Sequence, residues 1–506
     1  MNLNELISVA PRYARSVNLE RDGFTDAAVE GYVITSTADL FLQRLGRALS
    51  GSGGHRAWTL TGPYGAGKSS FAIFLANLFS PEGFGGSLAA RELLREQHVN
   101  THRLLFEKRN KGLLGANGFT AVVVSGASEP LLGAILRCVI RDVWEYFGRG
   151  RKPDVLRELE HLQERFEAGK NVSTTDVMAA IHGLSESLIS SGRSLGLLLI
   201  IDELGKFLEY AARTSTAGDI YLLQQLAEAT NHKSAEGLYL VTILHQSFER
   251  YALELAPSTR DEWAKVQGRF EDVAFQEPPE QLLELISRAL IIRSHPAIRP
   301  MVNAAKVLAH NAVELDLTPR GMGQRIFENV LTRCAPLHPL TALALVRLCR
   351  KFGQNQRSLF SFLTSREKHG FSSFLQRPVH SPTFFGLAEL YDYLMEGFGS
   401  GLAVGESAAR WVEIQSALDR AADLGESEQT FIKVVGVLAA VGQMGTFRAN
   451  EKVIRFALGL ESAEFKRIKK ALLERSLIVE RRHNGTIALW EGAILILMRK
   501  YIRQRN

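Results

Sequence analysis

Residues 57–70 read AWTLTGPYGAGKSS, and FAIFLANLF follows at 71–79. An apolar run, a glycine-rich turn and an amphipathic helical pattern give the order strand, loop, helix. The turn fits G-x-x-x-x-G-K-[ST] with Gly62, Gly67, Lys68 and Ser69 in the fixed positions. Glycines there let backbone N–H groups turn inward around phosphate oxygens, where a Cβ would clash. The helix starting at Lys68 aims its positive end at the same charge. Lys68 then suits the β- and γ-phosphates and the Ser69 hydroxyl suits Mg2+. Gly62, Pro63, Tyr64, Gly65, Ala66, Gly67, Lys68, Ser69 and Ser70 are therefore the expected cradle of a nucleoside triphosphate.

The strand signal repeats at TAVVVSG (120–126), LGLLLIID (195–202), GLYLVTIL (237–244) and FEDVAF (270–275). These runs are apolar on both faces and separated by helical patterns, as in a parallel sheet covered on two sides. A polar helical stretch at about 150–192 is longer than one crossover requires and reads as a helical insertion. Residues 1–50 read as a polar lead-in and a helix, and 51–276 as the α/β core. The strand signal stops after EPPE at 277–280, leaving a helical segment over 277–426. Over 427–492, three helical patterns precede two β-rich runs joined at HNG, which is the order of a winged helix-turn-helix. A basic tail occupies 493–506.

Within LLLIIDELGKF, five apolar residues carry Asp202 and Glu203 to the C-terminal end of a buried strand, where open α/β sheets bind ligands. Asp202 suits the metal and Glu203 the attacking water. A protein that only senses nucleotide has no need of the second carboxylate, so Glu203 favours hydrolysis. His245 and Gln246 end the next run, where a sensor would meet the γ-phosphate or the water; Thr242 is the alternative, one pleat earlier. Arg269, just before the fifth run, is expected to project into a neighbouring subunit's site, with Arg260 the weaker candidate.

The 506 residues are 46% hydrophobic and 23% charged, an ordinary globular balance long enough for several domains. There is no signal-like leader and no 18-residue apolar run, so a soluble cytoplasmic protein is expected. Cys138, Cys334 and Cys349 lack CxxC spacing and read as buried free thiols. No His/Cys cluster has ligand spacing, and no acidic group stands apart from Asp202 and Glu203, which leaves metalloenzyme and nuclease readings without support. The net charge of +6 permits an anionic partner without requiring one.

The order of phosphate loop, Asp-Glu strand, polar sensor strand, pre-strand arginine and helical lid resembles that of AAA+ ATPases. With the winged helix it is similar to origin-recognition and signal-transducing STAND ATPases. The phrases RSVNLERD, EGYVITSTADLFLQRL, LHPLTALAL and FGQNQRSLFSFL are similar to those of large bacterial ATPases linked with anti-phage defence. The resemblance implies an α/β P-loop core with a helical lid and a C-terminal winged helix, binding ATP and Mg2+ and working as a homo-oligomer. It implies that Arg357, in Asn355-Gln356-Arg357-Ser358, is a lid arginine at the γ-phosphate, although Gln356 departs from the usual glutamate. By analogy alone, Arg15, Val17 and Tyr32 line the base pocket. Such relatives often carry more chain beyond the winged helix, so an effector is expected to be a separate polypeptide.

Lys466, Arg467, Lys469 and Lys470 on the recognition helix, with Arg481, Arg482 and His483 on the wing, are what DNA phosphate contacts would need. An equally open reading packs this module on protein. Two functions follow: a motor coupling hydrolysis to remodelling of DNA or a partner, and a STAND-like scaffold whose nucleotide state recruits an effector.

Overall fold

In a computed structural model of the chain, the residues described are 1–14, 19, 23–50, 54–63, 65–107, 114–148, 150, 152–214, 217–231, 237–252, 257–352, 359–379, 382–402, 408–442, 447–481 and 483–490. Among them are nine strands: β1 (Ile7–Val9), β2 (Ala57–Thr61), β3 (Thr120–Ser125), β4 (Leu197–Asp202), β5 (Leu238–Leu244), β6 (Glu271–Ala274), β7 (Leu290–Ile292), β8 (Ile478–Arg481) and β9 (Thr486–Leu489). The chain divides into two compact units, Ser16–Glu277 and Met1–Arg15 with Pro278–Asn506.

The first unit contains all five apolar runs as one parallel sheet in the order β3-β4-β5-β2-β6. Alternation explains why the runs are apolar throughout. Val122, Val124, Leu197, Leu199, Ile201, Leu238 and Leu240 point into one buried cluster, while Trp58, Leu60, Val123, Leu198, Ile200, Val241 and Ile243 point into another. Because every strand runs the same way, the residues after β2, β4 and β5 emerge at a common edge. Two helices, Val155–Glu167 and Thr174–Ser190, lie in chain order between β3 and β4, and with Leu131–Phe147 they cover one face. The outer edge of β3 is closed by a side-chain pair. Asp142 Oδ2 accepts from the Val123 N–H at 2.8 Å, and Arg141 donates to the Val123 carbonyl at 2.8 Å. Both outward backbone groups of Val123 are thus satisfied without another strand.

The second unit is mainly helical. Its core includes Phe327, Leu340, Phe385, Tyr391, Trp411 and Phe431. The lead-in expected over residues 1–50 is in part a structural element of this unit: β1 pairs antiparallel with β7, Ile7 opposite Ile292, and Leu3, Leu6 and Ile7 are buried. A three-residue strand with one neighbour leaves no periodic trace to read. Toward the C-terminus, helices Glu426–Val441, Glu451–Leu458 and Ser462–Glu474 precede the antiparallel pair β8–β9. The turn expected at HNG is closed by the Gly485 N–H donating to the Arg481 carbonyl, with Gly485 at φ +64°. Cys138 and Cys334 are buried and not disulfide-bonded, while the Cys349 side chain lies outside the described residues. Among the described residues no helix is long and apolar enough to cross a membrane.

Candidate functional site

The turn after β2 is built on glycines with two different duties. Gly62 lies against the end of β6, and a Cβ on it would fall 2.2 Å from the Phe275 carbonyl oxygen. Gly65 and Gly67 take φ +73° and +83°, the left-handed region that a Cβ disfavours. The helix Lys68–Phe79 then starts on Gly67, whose carbonyl receives the Phe71 N–H. Tyr64 lies outside the described residues.

Lys68 is buried, and its ammonium donates to the carbonyls of Gly62 at 2.5 Å and Pro63 at 2.7 Å. Burial lowers its pKa to about 8, against the pull of Asp202 and Glu203. A cation taken out of water and held only on neutral carbonyls is poised for an anion. Asp202, equally buried, accepts from the Ser69 hydroxyl and from the Glu203 N–H at 2.8 Å. Burial raises its pKa and those two donors oppose the rise. The hydroxyl and the carboxylate are hard oxygen donors side by side, the chemistry that fits Mg2+.

Glu203 occupies a corner that its backbone would not choose alone, at φ +49°. Gly126, just after β3, leaves it room: a Cβ there would fall 2.3 Å from the Glu203 carbonyl oxygen. Gly205 similarly leaves room for the Tyr251 hydroxyl, 2.3 Å from where its Cβ would stand. The Glu203 carboxylate has His245 Nε2 3.7 Å from Oε1, an electrostatic contact too long for a hydrogen bond, and Lys206 Nζ 2.5 Å from Oε2. His245 and then Lys206 hold the carboxyl down at about 2, against the effect of burial. Gln246 is half-buried beside His245 in the turn after β5.

The remaining expected residues are distributed differently. Thr242 is buried inside the sheet, its hydroxyl 2.9 Å from that of Thr59 and bonded to the Trp58 carbonyl, so it joins β5 to β2. Arg269 precedes β6 and so lies at the opposite, N-terminal edge of the sheet. Its Nε is 2.5 Å from Glu228 Oε1, it also donates to the Lys265 carbonyl, and its own carbonyl accepts from Asn231. An acidic partner on the same chain, Glu228, pairs with the guanidinium. Arg260 is exposed on the helix Pro257–Gln267. Tyr32 is buried and stacks on Phe74 at 4.8 Å, which packs it against the helix after the loop. Arg15, Val17, Arg357, Arg482 and the tail beyond 490 lie outside the described residues.

Three members of the C-terminal basic cluster are paired from within. Arg467 pairs with Glu428 at 3.2 Å, Lys469 with Glu480 at 2.8 Å and Lys470 with Glu474 at 3.8 Å. Lys466, Arg481 and His483 are exposed. Sequence reasoning missed Gly126, Gly205 and Lys206. Their signal was present, a glycine directly after VVVS and the LGK following Asp-Glu, but only the folded corner gives it meaning.

A parallel sheet with a glycine turn and lysine-led helix after one strand, and paired acids after a strand one removed, defines a P-loop core. No protein-family model matches the chain, and no curated protein does. Among solved structures it is similar to the ORC2 protein of Aeropyrum pernix in its ADPNP–ADP complexes, at 13% identity over 99% of both chains with a TM-score of 0.34. It is also similar to Cdc6p of Pyrobaculum aerophilum, at 11% identity over 95% of this chain and 98% of that one with a TM-score of 0.28.

Proposed function

We propose that the chain is an ATPase of AAA+ type that binds ATP with Mg2+ and hydrolyses it. The observation that carries this reading is the convergence of Lys68, Ser69, Asp202 and Glu203 at one sheet edge, with Ser69 bonded to Asp202. Lys68 and the loop N–H groups bind the phosphates, and Ser69 and Asp202 hold the metal, which neutralises phosphate charge when bound. Glu203 accepts the proton of the attacking water, and His245 and Gln246 are the sensors of the γ-phosphate. Residues 51–276 form the ATPase core, 277–426 the lid with Arg357 as its phosphate arginine, and 427–492 the winged helix. A homo-oligomer brings Arg269 to a neighbour's site once it leaves Glu228.

Nucleotide state is then coupled to remodelling of DNA or of a partner protein, in a defence role of the anti-phage kind. The internal pairing of Arg467, Lys469 and Lys470 favours the second reading, a STAND-like scaffold that recruits a separate effector. Phosphate release from ATP, measured with and without duplex DNA and with Lys68→Ala as the blank, tests both. Wild-type turnover above the blank is expected. DNA stimulation selects the motor, and none selects the scaffold. ATP that neither binds nor turns over would refute the proposal.

A further inference from the structure

Lys206 stands in the first turn of the helix Leu204–Thr214, three residues after Glu203. Its ammonium lies 2.5 Å from Glu203 Oε2, and His245 Nε2 lies 3.7 Å from Oε1. Each oxygen of the carboxylate therefore already faces a nitrogen from this chain. The corner does not depend on the Lys206 side chain to exist. The Lys206 main-chain N–H donates to the Glu203 carbonyl at 3.0 Å, and Gly126 and Gly205 leave the space in which Glu203 turns. The Lys206 side chain is half exposed, so it has somewhere to go when it lets go.

From this geometry we infer that Lys206 is a positioning residue that restrains hydrolysis by occupying the Glu203 oxygen a water would need. The inference rests on the hydrolytic reading above and adds a regulatory element to the same site. A water that is to donate its proton to Oε2 has to share that oxygen with an ammonium already bonded there, which draws on the electron density the proton would need. Exposed ion pairs of this kind are weak, so the restraint is a brake that a conformational change can release, not a block. Its strength corresponds to about a two- to fivefold restraint on turnover.

The test is steady-state ATP hydrolysis by the full chain with Lys206→Met, Lys206→Arg, Glu203→Gln and the double variant Lys206→Met/Glu203→Gln. Equilibrium binding of a slowly hydrolysed ATP analogue is measured in parallel. The expected result is a kcat raised about two- to fivefold in Lys206→Met, with KM and analogue affinity unchanged. Lys206→Arg, which restores a cation at that oxygen, returns kcat toward wild type. The double variant stays as slow as Glu203→Gln, because the released activity runs through Glu203. A Lys206→Met enzyme no faster than an active wild type overturns the restraint alone. Analogue binding without turnover in either protein overturns both the restraint and the hydrolytic reading. A circular-dichroism melt of Lys206→Met within a degree or two of wild type is expected, and a slow, early-melting variant also overturns the restraint, since Lys206 would then be structural.

Discussion

Gly62 approaches Phe275 so closely that a Cβ on the glycine would fall 2.2 Å from the phenylalanine's carbonyl oxygen. That oxygen belongs to the backbone and cannot swing aside. The Gly62 carbonyl also receives the Lys68 ammonium, so moving Gly62 moves the cation. Gly67 differs, with open space around it and only its φ of +83° to satisfy. Gly62→Ala is therefore expected to weaken ATP-analogue binding by about tenfold or more, a loss of about 1.4 kcal/mol. Gly67→Asn, a residue that tolerates left-handed backbone, should lose less. Fluorescence titration of the two variants checks the order, and a reversed order would mean that β6 yields to the added methyl.

The same reasoning at Gly126 isolates the carboxylate. A Cβ there would stand 2.3 Å from the Glu203 carbonyl oxygen and 2.7 Å from its Cβ, with Glu203 already at positive φ. Gly126→Ala should push Glu203 out of line and leave the phosphate loop in place. Turnover is expected to fall by about tenfold to a hundredfold, with analogue affinity kept within about twofold. Kinetics and binding measured on one preparation give the answer. A parallel loss of binding would show that the displacement reached Lys68.

The glycine turn and the acidic strand end were legible in sequence because each is a short, local pattern whose chemistry needs those residue types in that order. The apolar runs were legible for the same reason, since a strand buried on both faces has no polar residues to hide it. Three things were not. β1 is three residues long and finds its partner at Leu290–Ile292, far along the chain, where no periodicity connects the two. Arg269 was placed correctly before β6, yet whether it is held depends on Glu228, forty-one residues earlier. Arg467 and Lys469 of the helix Ser462–Glu474 look available in sequence, but Glu428 and Glu480 reach them only after folding.

The Arg141–Asp142 pair on the outer edge of β3 suggests a stability test. Asp142 is buried, accepts the Val123 N–H and pairs with Arg141 at 2.6 Å. Asp142→Ala removes the acceptor and leaves a buried N–H without a partner, which costs about 1–3 kcal/mol. It also opens a strand edge to other chains. A lowered melting temperature with concentration-dependent light scattering is expected, whereas Asp142→Asn, which keeps an oxygen for the N–H, should show less of both. A variant that melts earlier yet stays monodisperse would separate the lost bond from edge protection.

His338 gives the second unit a specific pH dependence. Its ring is buried, 4.8 Å from that of Phe456, and its Nδ1 accepts the Leu340 N–H at 3.3 Å where the helix Pro339–Phe352 begins. Burial lowers its pKa to about 4. The folded chain therefore keeps the imidazole neutral while the unfolded chain takes up a proton near pH 6.5. The stabilisation is complete above that value and is lost as pH falls from 6.5 toward 4. Between pH 7 and pH 5 the loss is about 2 kcal/mol for this group alone. Carboxylates contribute over the same range, so the measurement is a difference: guanidinium unfolding of wild type and of His338→Gln at both pH values. Wild type should lose about 2 kcal/mol more than the variant on going to pH 5. Equal losses would mean that the ring is already protonated, or solvated, in the folded chain.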